Sequence, residues 1–332
     1  GIPAPAAMQG ESKINLAENI NVCYNVAHVL CNFPKEVTFM DLTMDGRKVL
    51  PQPGQSLLEL VKQLGLEGST LTERPLAAKI AGEVFTLNYI PVRQKEAEAD
   101  RQSMRRAMAA SNGEVRLLRY ADPAGKECYI RTAQFTIFLA MRQLWPEATA
   151  KMTCTLGSSV YISVAGAKDF SASTLKARVS ELVGQDIPLI RRRVKLQKAI
   201  DRFREEGQAD KARLLSWRTV DYFDEYAYGD FADYYYGEMM PSTGYLTVWD
   251  ILPADGGFVF VYPDDGNPEI CAKVPPMPNF FSVFNEGERW GELMECQTVA
   301  DLNDLTNSGR IRELIRVNEA LHEKRFSQVA DQ

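Results

Sequence analysis

Hydrophobic and polar positions fall into a regular pattern from Val37 onward. VTFMDLTM and RKVLP flank Asp45-Gly46, and an Asp-Gly pair supplies the positive φ of a tight turn, so two short strands in a hairpin are predicted. Behind Ser56, Leu57, Leu60, Val61 and Leu64 recur at the spacing of one helical face, with Gly65 as the stop. AAKIAGEVFTLNYI then predicts strand, turn and strand, and EVRLLRY at 114–120 a final strand. The intervening QKEAEADRQSMRRAMAASNG is charged and Ala-rich, which fits a surface helix or an inserted loop. Before Val37 only Val22 to Phe33 has marked apolar character.

A second block starts after Asp122-Pro123. RTAQFTIFLAMRQL at 131–144 predicts a long apolar helix ending at Trp145-Pro146, and KMTCTLGSSVYISV is strand-like. Another helix is expected behind Ser171 or Ser173 as N-cap and runs to Gly184. IPLIRRRVKL reads as a strand, and KAIDRFREEG as a helix closed by Gly207. STGYLTVWDIL and FVFVYP form a hairpin around Asp255-Gly256-Gly257, PPMP at 275–278 is a break, and the chain is helical from Thr298. That last helix is amphipathic through Ile311, Leu314, Ile315, Asn318, Leu321 and Val329. Strand, turn, strand, helix, strand is the order of a β-grasp module, and the chain as a whole reads as α+β.

Composition narrows the chemistry. A chain of 332 residues, 45% hydrophobic and 25% charged, has room for two or three folded domains. Its net charge of −6 excludes a globally basic nucleic-acid binder, though not a local basic patch. Two histidines, His28 and His322, cannot build a His-rich metal site. Six cysteines without a CxxC pair read as reduced thiols. No apolar run is long enough to span a membrane and no signal peptide is evident, so a cytoplasmic protein is expected.

Two segments stand out. Arg191, Arg192, Arg193 and Lys195 form a basic cluster that could touch phosphate or RNA, although strand alternation would send neighbours to opposite faces, and a solvated charged strand is the plainer reading. Residues 221–238, DYFDEYAYGDFADYYYGE, hold eight aromatic and six acidic residues and no basic one. Such a surface can recognise a base or a cationic partner; its plainer reading is two strands whose tyrosines cover a sheet. No P-loop, GxGxxG or GxSxG motif is present, and the Cys23, His28, Cys31 grouping is too loosely specified to make a dyad. The residues alone name no catalytic group.

RTAQFTIFLAMRQLWPEA and IPLIRRRVKLQKAIDRFREEGQADKARLL resemble the amino-terminal half of threonyl-tRNA synthetases, where a TGS domain precedes a domain that edits mischarged tRNA. The resemblance covers about residues 37–265. It implies an editing site in which two histidines four apart meet a cysteine and a histidine four apart. Here those positions read Arg131, Phe135, Tyr235 and Met239, so no metal site is expected. DYYYGEMMPSTGYLTVWDIL, FFSVFNEGERWGELM and LIRVNEALHEKRFSQVAD further resemble bacterial nucleoside kinases of the uridine kinase and phosphoribulokinase group, which add a P-loop kinase domain after these modules.

That resemblance implies an accessory region, cut at Gln332 before a kinase domain. In the whole protein the kinase would be this region's partner and would use ATP and Mg²⁺, while the region itself needs no cofactor. The implied layout is a segment 1–36 of unknown role, a TGS-like domain 37–122, a synthetase editing-type α+β domain 123–266 and a helical connector 267–332. Two alternatives stand beside it. One is a nucleotide- or tRNA-binding module without chemistry. The other is a rebuilt aminoacyl-tRNA deacylase, with Arg131, Phe135, Tyr235, Tyr236 and Met239 lining the pocket.

Overall fold

A computed structural model describes residues 41–91, 112–275 and 289–331. Val22 to Phe33, the Cys23, His28, Cys31 grouping, residues 94–111 of the charged stretch and 276–278 of the proline break lie outside the described residues.

Strands β1 (Leu42–Met44) and β2 (Arg47–Val49) form the first hairpin. Asp45 and Gly46 both take positive φ there, at 45° and 80°, as the right-handed twist of a two-residue hairpin requires. Helix α1 (Leu57–Gln63) opens on a capping box: Ser56 accepts from the Glu59 N–H, and the Glu59 carboxylate accepts from the Ser56 N–H. β3 (Ala77–Ile80) and β4 (Glu83–Phe85) turn at Ala81-Gly82, and β5 (Glu114–Leu118) completes the sheet in the order β2-β1-β5-β3-β4. β1 and β5 run parallel at its centre. Leu42, Met44, Val115 and Leu117 point to one face, where Leu57, Leu60 and Val61 of α1 cover them.

The second half is built around α2 (Pro123–Leu144). The sequence places this helix at 131–144, but it begins eight residues earlier. Asp122-Pro123 is its N-terminus rather than a break, because proline at the first helical position gives up only an N–H that has no intrahelical partner. Gly125 is required there by close approach: a Cβ would lie 2.1 Å from the Arg119 carbonyl oxygen. Half of the 22 residues of α2 are buried, on several sides, so a single apolar stripe is not its signature.

On one flank of α2 lies an antiparallel sheet in the order β11-β12-β7-β6, made of β6 (Thr149–Thr155), β7 (Ser159–Ala165), β11 (Asp250–Ala254) and β12 (Gly257–Val261). Helix α3 (Ala172–Gly184), capped by Ser171, packs beside it. A second, three-stranded sheet in the order β10-β9-β8 holds β8 (Arg191–Lys195), β9 (Tyr222–Tyr228) and β10 (Phe231–Asp233). Its other face is covered by α4 (Leu196–Glu205) and by α5 (Ala209–Ser216), a short helix that the sequence pattern does not announce. The acidic-aromatic stretch is thus a hairpin whose side chains largely face protein.

Beyond the second sheet, α6 (Val299–Asn307) begins at a Thr298–Asp301 capping box, and Arg213 of α5 pairs with its Asp301 and Asp304. Helix α7 (Ile311–Ala330) follows and buries none of its residues. Among the described residues no helix is long and apolar enough to cross a membrane.

The two halves are fastened by polar contacts around shared core. Leu71, Leu76, Ala77 and Leu118 of the first half join the core of the second. Asn88 donates to the carbonyls of Leu189 (3.2 Å) and Pro241 (2.7 Å), Tyr120 donates to Pro263, and the Glu269 carboxylate accepts from Leu71 and Thr72. Asn88→Ala leaves two carbonyls without this donor, and the expected loss in urea unfolding is about 1–3 kcal/mol. The exposed Lys48→Ala should stay within about 0.5 kcal/mol of the parent.

Candidate functional site

Arg131 and Phe135 are one helical turn apart on α2, and the segment after β10, residues 234–240, crosses above them. Gly237 makes the crossing possible. At φ +128° it takes a backbone conformation that L side chains rarely adopt, and a Cβ would stand 2.8 Å from the Arg131 guanidinium carbon and 3.0–3.1 Å from its two terminal nitrogens. Arg131 donates through Nε to the Glu238 carbonyl (2.9 Å), pairs through Nη1 with Glu127 (3.2 Å), and approaches the Cys128 sulfur. Its side chain is 16% exposed, so its charge is largely engaged by protein.

The other pocket positions are equally occupied. Phe135 is fully buried, its ring 5.3 Å from Phe231 and 6.3 Å from Tyr235. Met239 is fully buried in the same core, and its N–H donates to the Tyr226 hydroxyl. Tyr235 points its hydroxyl inward, where it has no partner among the described residues, and burial pushes its ionisation well up. Arg131, Phe135, Tyr235 and Met239 are therefore brought together, as the resemblance implies, but they fill the space between α2 and the crossing segment. Tyr236 does not join them; it is 71% exposed on the outside.

The basic cluster is likewise engaged, by the acidic stretch. Antiparallel register sets Arg191, Arg192, Arg193, Val194 and Lys195 opposite Tyr226, Glu225, Asp224, Phe223 and Tyr222. Arg192 pairs with Glu225 at 2.8 Å, and Arg202 of α4 pairs with the second oxygen of the same carboxylate at 2.6 Å. Arg193 grips Asp224 through two nitrogens at 2.9 and 3.2 Å and lies 4.0 Å over the Tyr222 ring. Arg191 pairs with Glu238 at 2.8 Å, and Lys211 with Asp233. Lys195, exposed at the start of α4, makes no ion pair among the described residues.

Glu225 and Glu238 are the site residues that sequence reasoning missed. Glu225 is fully buried, and Glu238 is 7% exposed, held by Arg191 and by the Tyr226 hydroxyl at 3.1 Å. Their signal was present as an imbalance: a segment with acids and no bases, and another with bases and no acids, each requiring a partner once folded. Burial pushes the Glu238 carboxyl above the ordinary glutamate range, against the pull of Arg191, Tyr226 and Arg131. It also pushes the Cys128 thiol up to about 11, so that sulfur is protonated and unreactive at neutral pH. Among the described residues no group of three or more His, Cys, Asp and Glu side chains converges as a metal site would require. His322 lies on α7 against Phe326. The arrangement offers packing and paired charge, with no exposed base or nucleophile at its centre.

Two predictions test this account. Glu225→Ala removes the buried carboxylate that Arg192 and Arg202 share, leaves Arg202 only its 3.6 Å contact with Glu206, and should cost about 3 kcal/mol in chemical unfolding, whereas Asp224→Ala, at the partly exposed pair, should cost about 1 kcal/mol or less. Because the Glu238 carboxyl binds its proton more tightly folded than unfolded, its contribution to stability is greatest at low pH. It declines as pH rises from the unfolded glutamate range through the raised native value. The stability difference between the parent and Glu238→Gln, followed by urea unfolding from pH 4 to 8, should therefore fall with rising pH and then level off.

No family model matches the chain. Its similarity is to curated threonine–tRNA ligases. It is 25% identical over 209 residues to that of Halorhodospira halophila, covering 62% of this chain and 31% of the ligase. It is 22% identical over 279 residues to that of Clostridium kluyveri, covering 83% and 39%. The Paraburkholderia xenovorans ligase is 28% identical over 141 residues, covering 41% of this chain and 22% of the ligase. The chain thus spans between a fifth and two-fifths of the length of these relatives. They give no support to the expected nucleoside kinase parent, nor to a kinase domain as partner. What stands is a mixed α+β chain whose relatives, at low identity, are threonyl-tRNA synthetases.

Proposed function

We propose that this chain is a tRNA-binding module of synthetase editing-domain type that has given up chemistry. The observation that carries the reading is the filled cleft: Phe135 and Met239 have no exposed surface, and Arg131 is closed over by Gly237 and Glu238. A deacylase must admit an ester and present a group that activates water. Neither condition is met where the resemblance puts the editing site, which favours binding over the rebuilt deacylase.

The first half is a TGS-like domain in this reading. A parallel β1/β5 pair at the sheet centre, with α1 in the crossover, is the arrangement of a β-grasp and supports that assignment. The layout 37–122 and 123–266 follows from it. Neither half takes a cofactor.

Engagement of Arg191, Arg192 and Arg193 by carboxylates limits how many phosphates this surface neutralises, so binding should rest on few cationic contacts. In filter binding of tRNA across a salt series the expected log–log slope is shallow, and Lys195→Ala should lower it by about one. Mischarged threonine-accepting tRNA incubated with the protein should lose its amino acid no faster than in buffer. Deacylation that is abolished by Arg131→Ala while circular dichroism shows the fold retained would place chemistry in the cleft and overturn the proposal, as would failure to bind tRNA at low salt.

A further inference from the structure

Helix α7 has 20 residues and buries none of them. Helices in proteins draw most of their stability from packing an apolar face, and this one, about 30 Å long at 1.5 Å per residue, packs very little of its own. Ile311, Leu314 and Leu321 are half-covered, whereas Ile315 (48%), Phe326 (65%) and Val329 (62%) stand exposed. The three exposed residues fall on one line along the helix.

That line is Arg312, Ile315, Glu319, His322, Phe326 and Val329, every member exposed. Its steps of three, four, three, four and three residues are those of a two-helix seam, and they read the same from either end. A second α7 running antiparallel therefore falls in step: Ile315 meets the partner's Phe326 and Glu319 meets the partner's His322, each twice about a two-fold axis. Beside the seam Arg316 falls opposite the partner's Glu323, again twice. A parallel pair would set Glu319 against Glu319 and His322 against His322. Within one helix, Arg312 with Arg316 and Glu319 with Glu323 are like charges one turn apart, an unfavourable arrangement on an isolated helix. None of these four makes an ion pair among the described residues. His322 is already set for the seam, its ring 4.5 Å from Phe326.

We infer that the chain pairs with a second copy of itself through this line of α7, antiparallel, with Ile315 and Phe326 as the apolar contacts and Arg316 and Glu323 as the ion pairs across it. Self-complementarity is what selects a second copy over a different protein. A two-fold axis requires that if one residue meets another, the second also meets the first, and the spacing of the line and the placement of opposite charges about its middle satisfy that condition. A foreign helix would impose neither. No RNA enters the pairing, so it stands apart from the tRNA-binding reading.

The test is analytical ultracentrifugation of the full chain, without RNA, over a wide concentration series, where a monomer–dimer equilibrium is expected. Ile315→Ala and Phe326→Ala should each raise the dissociation constant roughly ten-fold or more. Val317→Ala, at an exposed residue (44%) about half a turn round the helix from Ile315, should leave it unchanged. Arg316→Glu and Glu323→Arg should each weaken the dimer, and the two together should restore it, because the reversed charges again meet across the seam. None of these residues is buried in the single chain, so each variant should fold, which circular dichroism and urea unfolding check. A chain that stays monomeric at every concentration leaves the face to a different protein and overturns the proposal. A dimer indifferent to Ile315→Ala and Phe326→Ala, or one that Val317→Ala disrupts, overturns it as well. A dimer that the double charge reversal fails to restore overturns the antiparallel arrangement.

Discussion

The pairing of buried carboxylates with guanidinium groups organises the second half of this protein. A carboxylate as enclosed as Glu225 costs several kcal/mol in lost hydration unless cations and hydrogen bonds replace the water (on the order of the effective penalty per buried ion), and Arg192 and Arg202 do so, one at each oxygen. Only one register of β8 against β9 sets Arg192 opposite Glu225; a slip of one residue would turn Arg192 to the other face. Charge pairing and the apolar placement of Phe223 and Val194 thus choose the same alignment. Glu238 extends the constraint to the next segment, because Arg191 can reach it only when residues 234–240 lie across α2.

From that crossing the state of the cleft follows. Once Glu238 is drawn to Arg191 and Tyr226, its carbonyl is in place for Arg131, and Met239 is carried into the core beside Phe135. Phe135 and Met239 then fill the volume between α2 and the crossing segment.

Much of the fold was legible in the sequence because it is locally encoded. Asp45-Gly46 and Asp255-Gly256 mark hairpins through backbone conformations that few residues adopt, and Ser56, Ser171 and Gly207 mark helix ends through hydrogen-bond chemistry that acts within a turn. The beginning of α2 was misjudged because Asp-Pro carries the same local signal at a chain break and at a helix start; the difference lies in what packs afterwards, here Gly125 against Arg119. Helix α5 escaped because eight residues with no capping side chain leave almost no pattern. That residues 131 and 135 share a helical face is legible from their spacing, while the covering of that face by residues 234–240 is not. Closure depends on contacts across more than a hundred residues, such as Arg131 with Glu238. The same distance hid the neutralisation of the basic cluster.

The first half reaches the same place from the other side. Asn88 donates to Pro241, one residue past the buried Met240, and to Leu189, just ahead of β8. Leu189 in turn donates its N–H to the Pro241 carbonyl, and Thr243 binds back to Ile187. The crossing segment is therefore anchored at its start by β10 and at its end by a junction that the first half holds closed. A segment pinned at both ends, with Gly237 fixed against Arg131, has little freedom to open. Fastening the two halves thus also keeps the cleft closed: the contact at Asn88 holds the junction at Leu189 and Pro241, and with it the end of the segment that lies over Arg131 and Phe135.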